Sequence, residues 1–163
     1  MPAVSNTSPI SNLASIGRLE LLKSQFSIVF IPDGVADELA AHPDPLVKDR
    51  IERAVQEQWI QVRPAPASGF LRLLLLQLHR GEAEAIALAT DLKADVLLMD
   101  EQEGRQLAAT AGLAVTGVLG VLLRAKRSGA IYALKPEIAL LRSKSRFFIS
   151  LALEAKFLAA AGE

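Results

Sequence analysis

The stretch HRGEAEAIALATDLKADVLLMDEQEGR, His79 to Arg105, decides how the chain is read. Gly81 interrupts the leucine-rich run before it. Glu82 and Glu84 then open an alanine-rich segment reaching about Lys93, a composition that favours a helix. Ala94 to Met99 is short and, past Asp95, apolar and unbroken, as expected of a strand covered on both faces of a parallel sheet. Asp100 is the first residue beyond that strand, and Glu101 and Glu103 begin the next helix. Ligands in open α/β sheets collect past the carboxyl ends of strands, so Asp100 stands where chemistry is usually placed. Acids in first helical turns also complement the helix dipole, each by roughly 0.3 to 1 kcal/mol.

Outward from this stretch the alternation continues. Pro2 to Ser5 reads as a first strand. Ser8 before Pro9 reads as a cap opening a helix from about Ile10 to Lys23. Ser27 to Ile31 reads as a central strand closed by Pro32, with Asp33 capping a helix that carries Val35, Glu38 and Leu39. The HPDP break ends that helix and starts another from about Leu46 to Gln58. Trp59 to Arg63 alternates as an edge strand does, and Phe70 to Leu78 is helical. After a helix to about Ala111, Leu113 to Val115 makes a last strand. Thr116 or Gly117 opens a helix ending near Ser128. The pattern is helical from Lys135 onward, with Phe147, Phe148, Leu151, Ala155 and Leu158 on one apolar stripe. The expectation is a single domain over residues 1–163, a three-layer α/β/α sandwich around a mainly parallel sheet of four or five strands.

Bulk properties narrow the function. Eighteen basic and eighteen acidic residues cancel, which argues against holding nucleic acid by overall charge. Their distribution is uneven: Arg124, Lys126, Arg127, Lys135, Arg142, Lys144 and Arg146 face a single acid, Glu137, between Val121 and Ser150. The absence of cysteine excludes disulfides, zinc-thiolate sites and thiol nucleophiles. No apolar run approaches the roughly 20 residues of a membrane helix, and the first residues carry no signal pattern, so a cytoplasmic protein is expected. Phosphate-cradling glycine loops are missing after the first strand.

Three strand ends offer polar groups at equivalent places: Asn6 after the first, Glu38 in the helix after the second, and Asp100. Glu84 or Glu82 joins from the helix between. Carboxylates converging to about 4 Å would repel by roughly 4 kcal/mol at an effective dielectric of 20, and such a cluster calls for a hard cation, Mg²⁺ or Mn²⁺.

Four motifs carry a family resemblance over nearly the whole chain: VSNTSPI near the start, GEAEAIALA, ADVLLMDEQEGRQLA, and the glycine-spaced segment from Gly117 to Gly129. Together they resemble the PIN-domain superfamily, and within it the small prokaryotic toxin-like proteins. The resemblance implies a metal-dependent endoribonuclease that hydrolyses RNA with metal-activated water, often restrained by a small antitoxin, and a homodimer. It places the four catalytic positions on Asn6, Glu38, Glu84 and Asp100, the Mg²⁺ or Mn²⁺ ligands being Glu38, Glu84 and Asp100. Thr7 and Ser8 match the hydroxyls that hold the first acid, Glu82 competes for the third position, and Glu103 is an outer acid. Arg105, Lys126, Arg142, Lys144 and Arg146 are candidates for RNA phosphates. One departure stands out: Asn6 occupies a position where catalytic members usually carry aspartate. The alternative is therefore a catalytically impaired module that binds RNA or a protein partner.

Overall fold

The computed structural model describes residues 1–163. Five short strands, β1 (Ala3–Ser5), β2 (Val29–Ile31), β3 (Ile60–Val62), β4 (Val96–Leu98) and β5 (Val115–Thr116), form one sheet in the order β3-β2-β1-β4-β5. Every pairing is parallel. Parallel strands need long crossovers, and the alternating apolar segments supply helices for them. These are α1 (Thr7–Ser15), α2 (Glu20–Gln25), α3 (Asp33–Ala40), α4 (Pro45–Gln56), α5 (Gly69–Leu74), α6 (Arg80–Asp91), α7 (Gln102–Thr110), α8 (Val118–Arg127), α9 (Leu134–Lys144) and α10 (Leu151–Ala160). The expected α/β/α layering is the observed one.

Side chains of a strand alternate between the two faces of its sheet, and the core divides accordingly. Ala3, Val29, Ile31, Ile60 and Leu98 pack with apolar residues of α1, α2, α4, α8 and α9. Val4, Leu97 and Met99 pack on the other face with Leu74 of α5, the alanine run of α6 and Ala108 of α7. The alanines let α6 lie close on the strands, and Ala83, Ala85 and Ala89 are fully buried.

Three segments depart from the sequence expectation. The helix expected over Ile10 to Lys23 is broken between α1 and α2, where Gly17 takes φ +72°, a left-handed conformation open to glycine at little cost. The cap of α1 is Asn6 rather than Ser8; Ser8 lies inside the first turn and spends its hydroxyl elsewhere. The helical run expected from Lys135 onward is interrupted over residues 145–150, with α10 starting at a new cap, Ser150, whose hydroxyl accepts from the Leu153 N–H. The proposed apolar stripe is thereby dissolved: Phe148 and Leu151 are exposed, whereas Ile149 is buried. No helix is long and apolar enough to cross a membrane.

Candidate active site

The strand order reverses between β1 and β4. From β1 the chain proceeds outward to β2 and β3, and from β4 to β5 on the other side. Such a switch point leaves a crevice beyond the carboxyl ends of the two central strands. Asn6 follows β1, and Asp100 and Glu101 follow β4, so both strand ends deliver polar residues to one crevice. The Asn6 N–H donates to the Leu98 carbonyl at 2.9 Å, continuing the sheet into the site.

Asn6 is 3% exposed and its side-chain amide donates to Glu101 Oε2 at 2.8 Å. The Ser8 hydroxyl donates to Glu101 Oε1 at 2.7 Å. Both oxygens of Glu101 are therefore held by neutral donors from the start of α1. The amide oxygen of Asn6 is left facing α6, where it lies 3.5 Å from the point a β-carbon on Gly81 would occupy. Glu38 Oε1 lies 2.5 Å from that same point. Glycine at position 81 thus lets the Asn6 carbonyl and the Glu38 carboxylate approach each other over the first turn of α6.

Glu82 and Glu84 are two residues apart, about 200° around a helix, so both cannot face one site. Glu84 turns to α3: Oε2 accepts from the Gly34 N–H at 2.7 Å, and Oε1 from Arg80 at 3.1 Å. Arg80 also donates to Asp37 at 3.0 Å. Glu82 turns to α7, its Oε2 lying 3.4 Å from the point a β-carbon on Gly104 would occupy. Its carboxyl is shifted above the ordinary range by burial first, then by the negative charge of Glu101, with smaller contributions from Glu103 and Glu38, and His79 opposing. Glu103 is exposed at the rim. Of the two glutamates expected to compete for the third-acid position, Glu84 bridges α6 and α3, while Glu82 is turned toward Gly104 of α7.

Asp100 occupies a separate niche. Its Oδ1 accepts from the Val118 N–H at 3.0 Å, at the start of α8, while Oδ2 is closed off from solvent without a partner. Burial, assisted by Glu101, raises this carboxyl to about 6 against the opposing pull of the Val118 N–H and Arg105. The set Glu38, Glu84 and Asp100 is accordingly not gathered around one point. As the side chains stand, no three carboxylate or imidazole groups share a position fit for one ion. The donors that do converge over Gly81, the Asn6 carbonyl and Glu38, are both oxygen, the chemistry that suits Mg²⁺ or Mn²⁺. Glu38 is exposed and has the freedom to complete such a set.

Thr7 Oγ1 is buried without a partner, so of the two hydroxyls only Ser8 touches an acid. Among the basic candidates, Arg105 donates to the Met99 carbonyl at 2.8 Å beside Asp100. Arg146 borders the recess that contains Ser8, Asp100 and Glu101. Lys144 lies one recess further, with Ser11, His42 and Asp44. Lys126 and Arg142 are engaged away from the acids: Lys126 donates to the Tyr132 carbonyl, and Arg142 pairs with Glu154 of α10 at 2.6 Å.

Sequence reasoning passed over two residues. Glu101 reads as an ordinary first-turn acid; its only signal is that it directly follows Asp100 at a strand end. Phe148 reads as part of a helical stripe, yet it stands 86% exposed at the rim of this crevice.

The comparison with protein families agrees with this architecture. A family model described as PIN domain matches residues 2–163. Comparison with curated proteins returned no match. Among solved structures, the chain is similar to a PilT N-terminus domain protein from the hyperthermophilic archaeon Sulfolobus solfataricus, at 16% identity and TM-score 0.47, covering 92% of this chain and 98% of that one. PIN domains are nuclease-type folds that generally use divalent metal ions. With the family model running over the crevice residues from Asn6 to Asp100 and on to the last helix, the chain belongs to the PIN-domain family.

Proposed function

We propose that this protein is a metal-dependent endoribonuclease whose working acids are Glu38, Glu82 and Asp100, with Asn6 and Glu101 forming a hydrogen-bonded pair at the first position. The observation that carries the reading is the convergence of the Asn6 carbonyl and Glu38 over Gly81, with Glu82 raised in pKa by burial first and then by the negative charge of Glu101. Glu38, Glu82 and the Asn6 carbonyl would hold the ion. Mg²⁺ or Mn²⁺ bound there supplies Lewis-acid polarisation of a phosphoryl oxygen and acidifies the attacking water.

The chain's own groups do the rest. Glu82 accepts a hydrogen bond from the attacking water and orients it toward the phosphorus. Glu101 fixes the orientation of the Asn6 amide, so that its oxygen rather than its nitrogen faces Glu38. Arg105 and Arg146 neutralise phosphates flanking the bond that is cut. The reading extends to a toxin restrained by a small antitoxin, and to a homodimer.

Purified protein incubated with a mixed RNA pool and Mn²⁺ tests the proposal. Cleavage that stops with EDTA and falls by at least about 100-fold in Glu82→Gln is expected; unabated cleavage in Glu82→Gln overturns the assignment. Growth arrest on expression, relieved by that substitution, tests the toxin role.

A second reading rests on the Asn6–Glu101 hydrogen bond, which satisfies Glu101 without any ion. In that reading the module binds RNA without cutting it. Inert wild type beside an active Asn6→Asp variant selects it.

A further inference from the structure

Beside the acids lies a cavity of about 290 Å³ bounded by Asp100, Arg105, Gly117, Phe147, Phe148 and Phe157. A neighbouring recess shares Asp100, Phe147 and Phe148 and is closed by Ser8, Glu101 and Arg146. The two open side by side, the cavity at the carboxyl ends of β4 and β5 and the recess at those of β1 and β4. Their common wall is the extended segment between α9 and α10. Alternation in extended chain sends Ile149 into the core, 5% exposed, and turns Phe148 outward at 86% exposed. The segment is fastened: Arg142 donates to the Ile149 carbonyl at 3.2 Å and pairs with Glu154 at 2.6 Å, and the Phe147 N–H donates to Ser145 Oγ at 3.3 Å. An aromatic face is thus held at the mouth of an arginine-bearing cavity next to the candidate site.

We propose that this cavity is a nucleobase pocket, which takes one unpaired base of single-stranded RNA against Phe148 while Arg105 and Arg146 meet the phosphates on either side. Every base has a π-face, so stacking on phenylalanine accepts any sequence. A base within a duplex is covered by its neighbours and cannot reach such a platform. The pocket therefore selects unpaired strand and sets which phosphodiester lies over Glu82. A protein partner would cover Phe148 without any need for Arg105 in the recess on one side of it and Arg146 in the recess on the other, and on that ground RNA is the occupant. The inference rests on the ribonuclease reading for the identity of the polymer.

The test is fluorescence anisotropy with a short labelled RNA strand and its duplex, with EDTA present so that the strand stays intact. Wild type is expected to bind the single strand at least about tenfold more tightly than the duplex. Phe148→Ala should weaken single-strand binding by roughly 5- to 100-fold, with little change for the duplex. Phe148→Trp should restore it, and the introduced indole should be quenched by the strand over the constant signal of buried Trp59. Equal binding by wild type and Phe148→Ala, with no quenching in Phe148→Trp, overturns the pocket. A Phe148→Ala variant that still binds RNA but changes oligomeric state on sizing also overturns it, and marks the face as a contact between copies. Metal-dependent cleavage that needs Glu82 but ignores Phe148 removes the pocket and leaves the nuclease. Phe148-dependent binding without any cleavage removes the hydrolytic reading and leaves the pocket.

Discussion

The side-chain amide of Asn6 donates to Glu101 Oε2 at 2.8 Å, joining the end of the first strand to the residue that follows Asp100. An aspartate at position 6 would set two carboxylates at that distance, a repulsion of about 6 kcal/mol at an effective dielectric of 20 before relaxation. Asn6→Asp is therefore expected to lower stability by about 1 to 3 kcal/mol in EDTA. Mn²⁺ should restore most of that loss, because a cation between the two acids replaces the lost hydrogen bond. Thermal melts of both proteins with and without Mn²⁺ check this, and a variant that melts like wild type in EDTA contradicts it.

Glu82 and Glu84 should separate cleanly by readout. Glu82→Gln is expected to abolish Mn²⁺-dependent cleavage while leaving urea stability within about 1 kcal/mol of wild type. Glu84→Gln removes a charged acceptor from the Gly34 N–H and from Arg80. It is expected to cost about 1 to 2 kcal/mol with cleavage largely retained. Paired stability and cleavage measurements on the two variants would show the reverse pattern if Glu84 were the working acid.

Asp100 predicts a specific pH dependence. Its carboxyl is raised to about 6 in the folded protein by burial, whereas an unfolded aspartate titrates near about 4. The folded chain holds this proton more tightly, so the associated stability is fully present below about pH 4 and is lost as pH rises through about 6. The loss amounts to about 3 kcal/mol. Urea unfolding at the two ends of this window, in EDTA, should show the decline for wild type and a shallower one for Asp100→Asn. Parallel pH profiles for the two proteins would contradict the assignment.

Gly81→Ala examines the approach between Asn6 and Glu38. The added methyl would sit 2.5 Å from Glu38 Oε1, and because Glu38 is exposed its carboxylate is expected to swing away while the fold stands. Melting should change little, as alanine is the better helix former by up to about 1 kcal/mol. Cleavage should fall at least about tenfold. Retained activity would place Glu38 outside the site.

Glu137 is the test of the helical layer. It is 4% exposed and accepts two hydrogen bonds from Arg18, at 2.6 and 3.1 Å, tying α9 to the turn between α1 and α2. Glu137→Ala is expected to cost about 2 kcal/mol, read as a lower urea midpoint with an unchanged slope.

What was legible without tertiary structure were the properties that depend on neighbours in sequence. The unbroken apolar run before Asp100 and the alanines after Gly81 dictate a buried strand and a close-packed helix, and repetition of that unit dictates a parallel sheet with Asn6 and Asp100 at strand ends. The motifs from Asn6 to Gly129 carried the family. Local pattern was misleading at two breaks, Gly17 and the segment around Phe148, because an apolar residue at helical spacing scores the same whether the chain stays helical or extends to bury Ile149. It named candidates for the site but not the direction in which their side chains point. Glu82 and Glu84 are equivalent acids in one first turn, and only the packing of α6 between α3 and α7 decides that Gly34 takes the Glu84 carboxylate while Glu82 turns toward Gly104. The Asn6–Glu101 pair spans 95 residues and exists because β1 and β4 are neighbours at the point where the strand order reverses. Sequence by itself determined the elements and what stands at their ends, since these follow from short-range sterics and periodicity; the direction in which each side chain points was decided by how the elements cross.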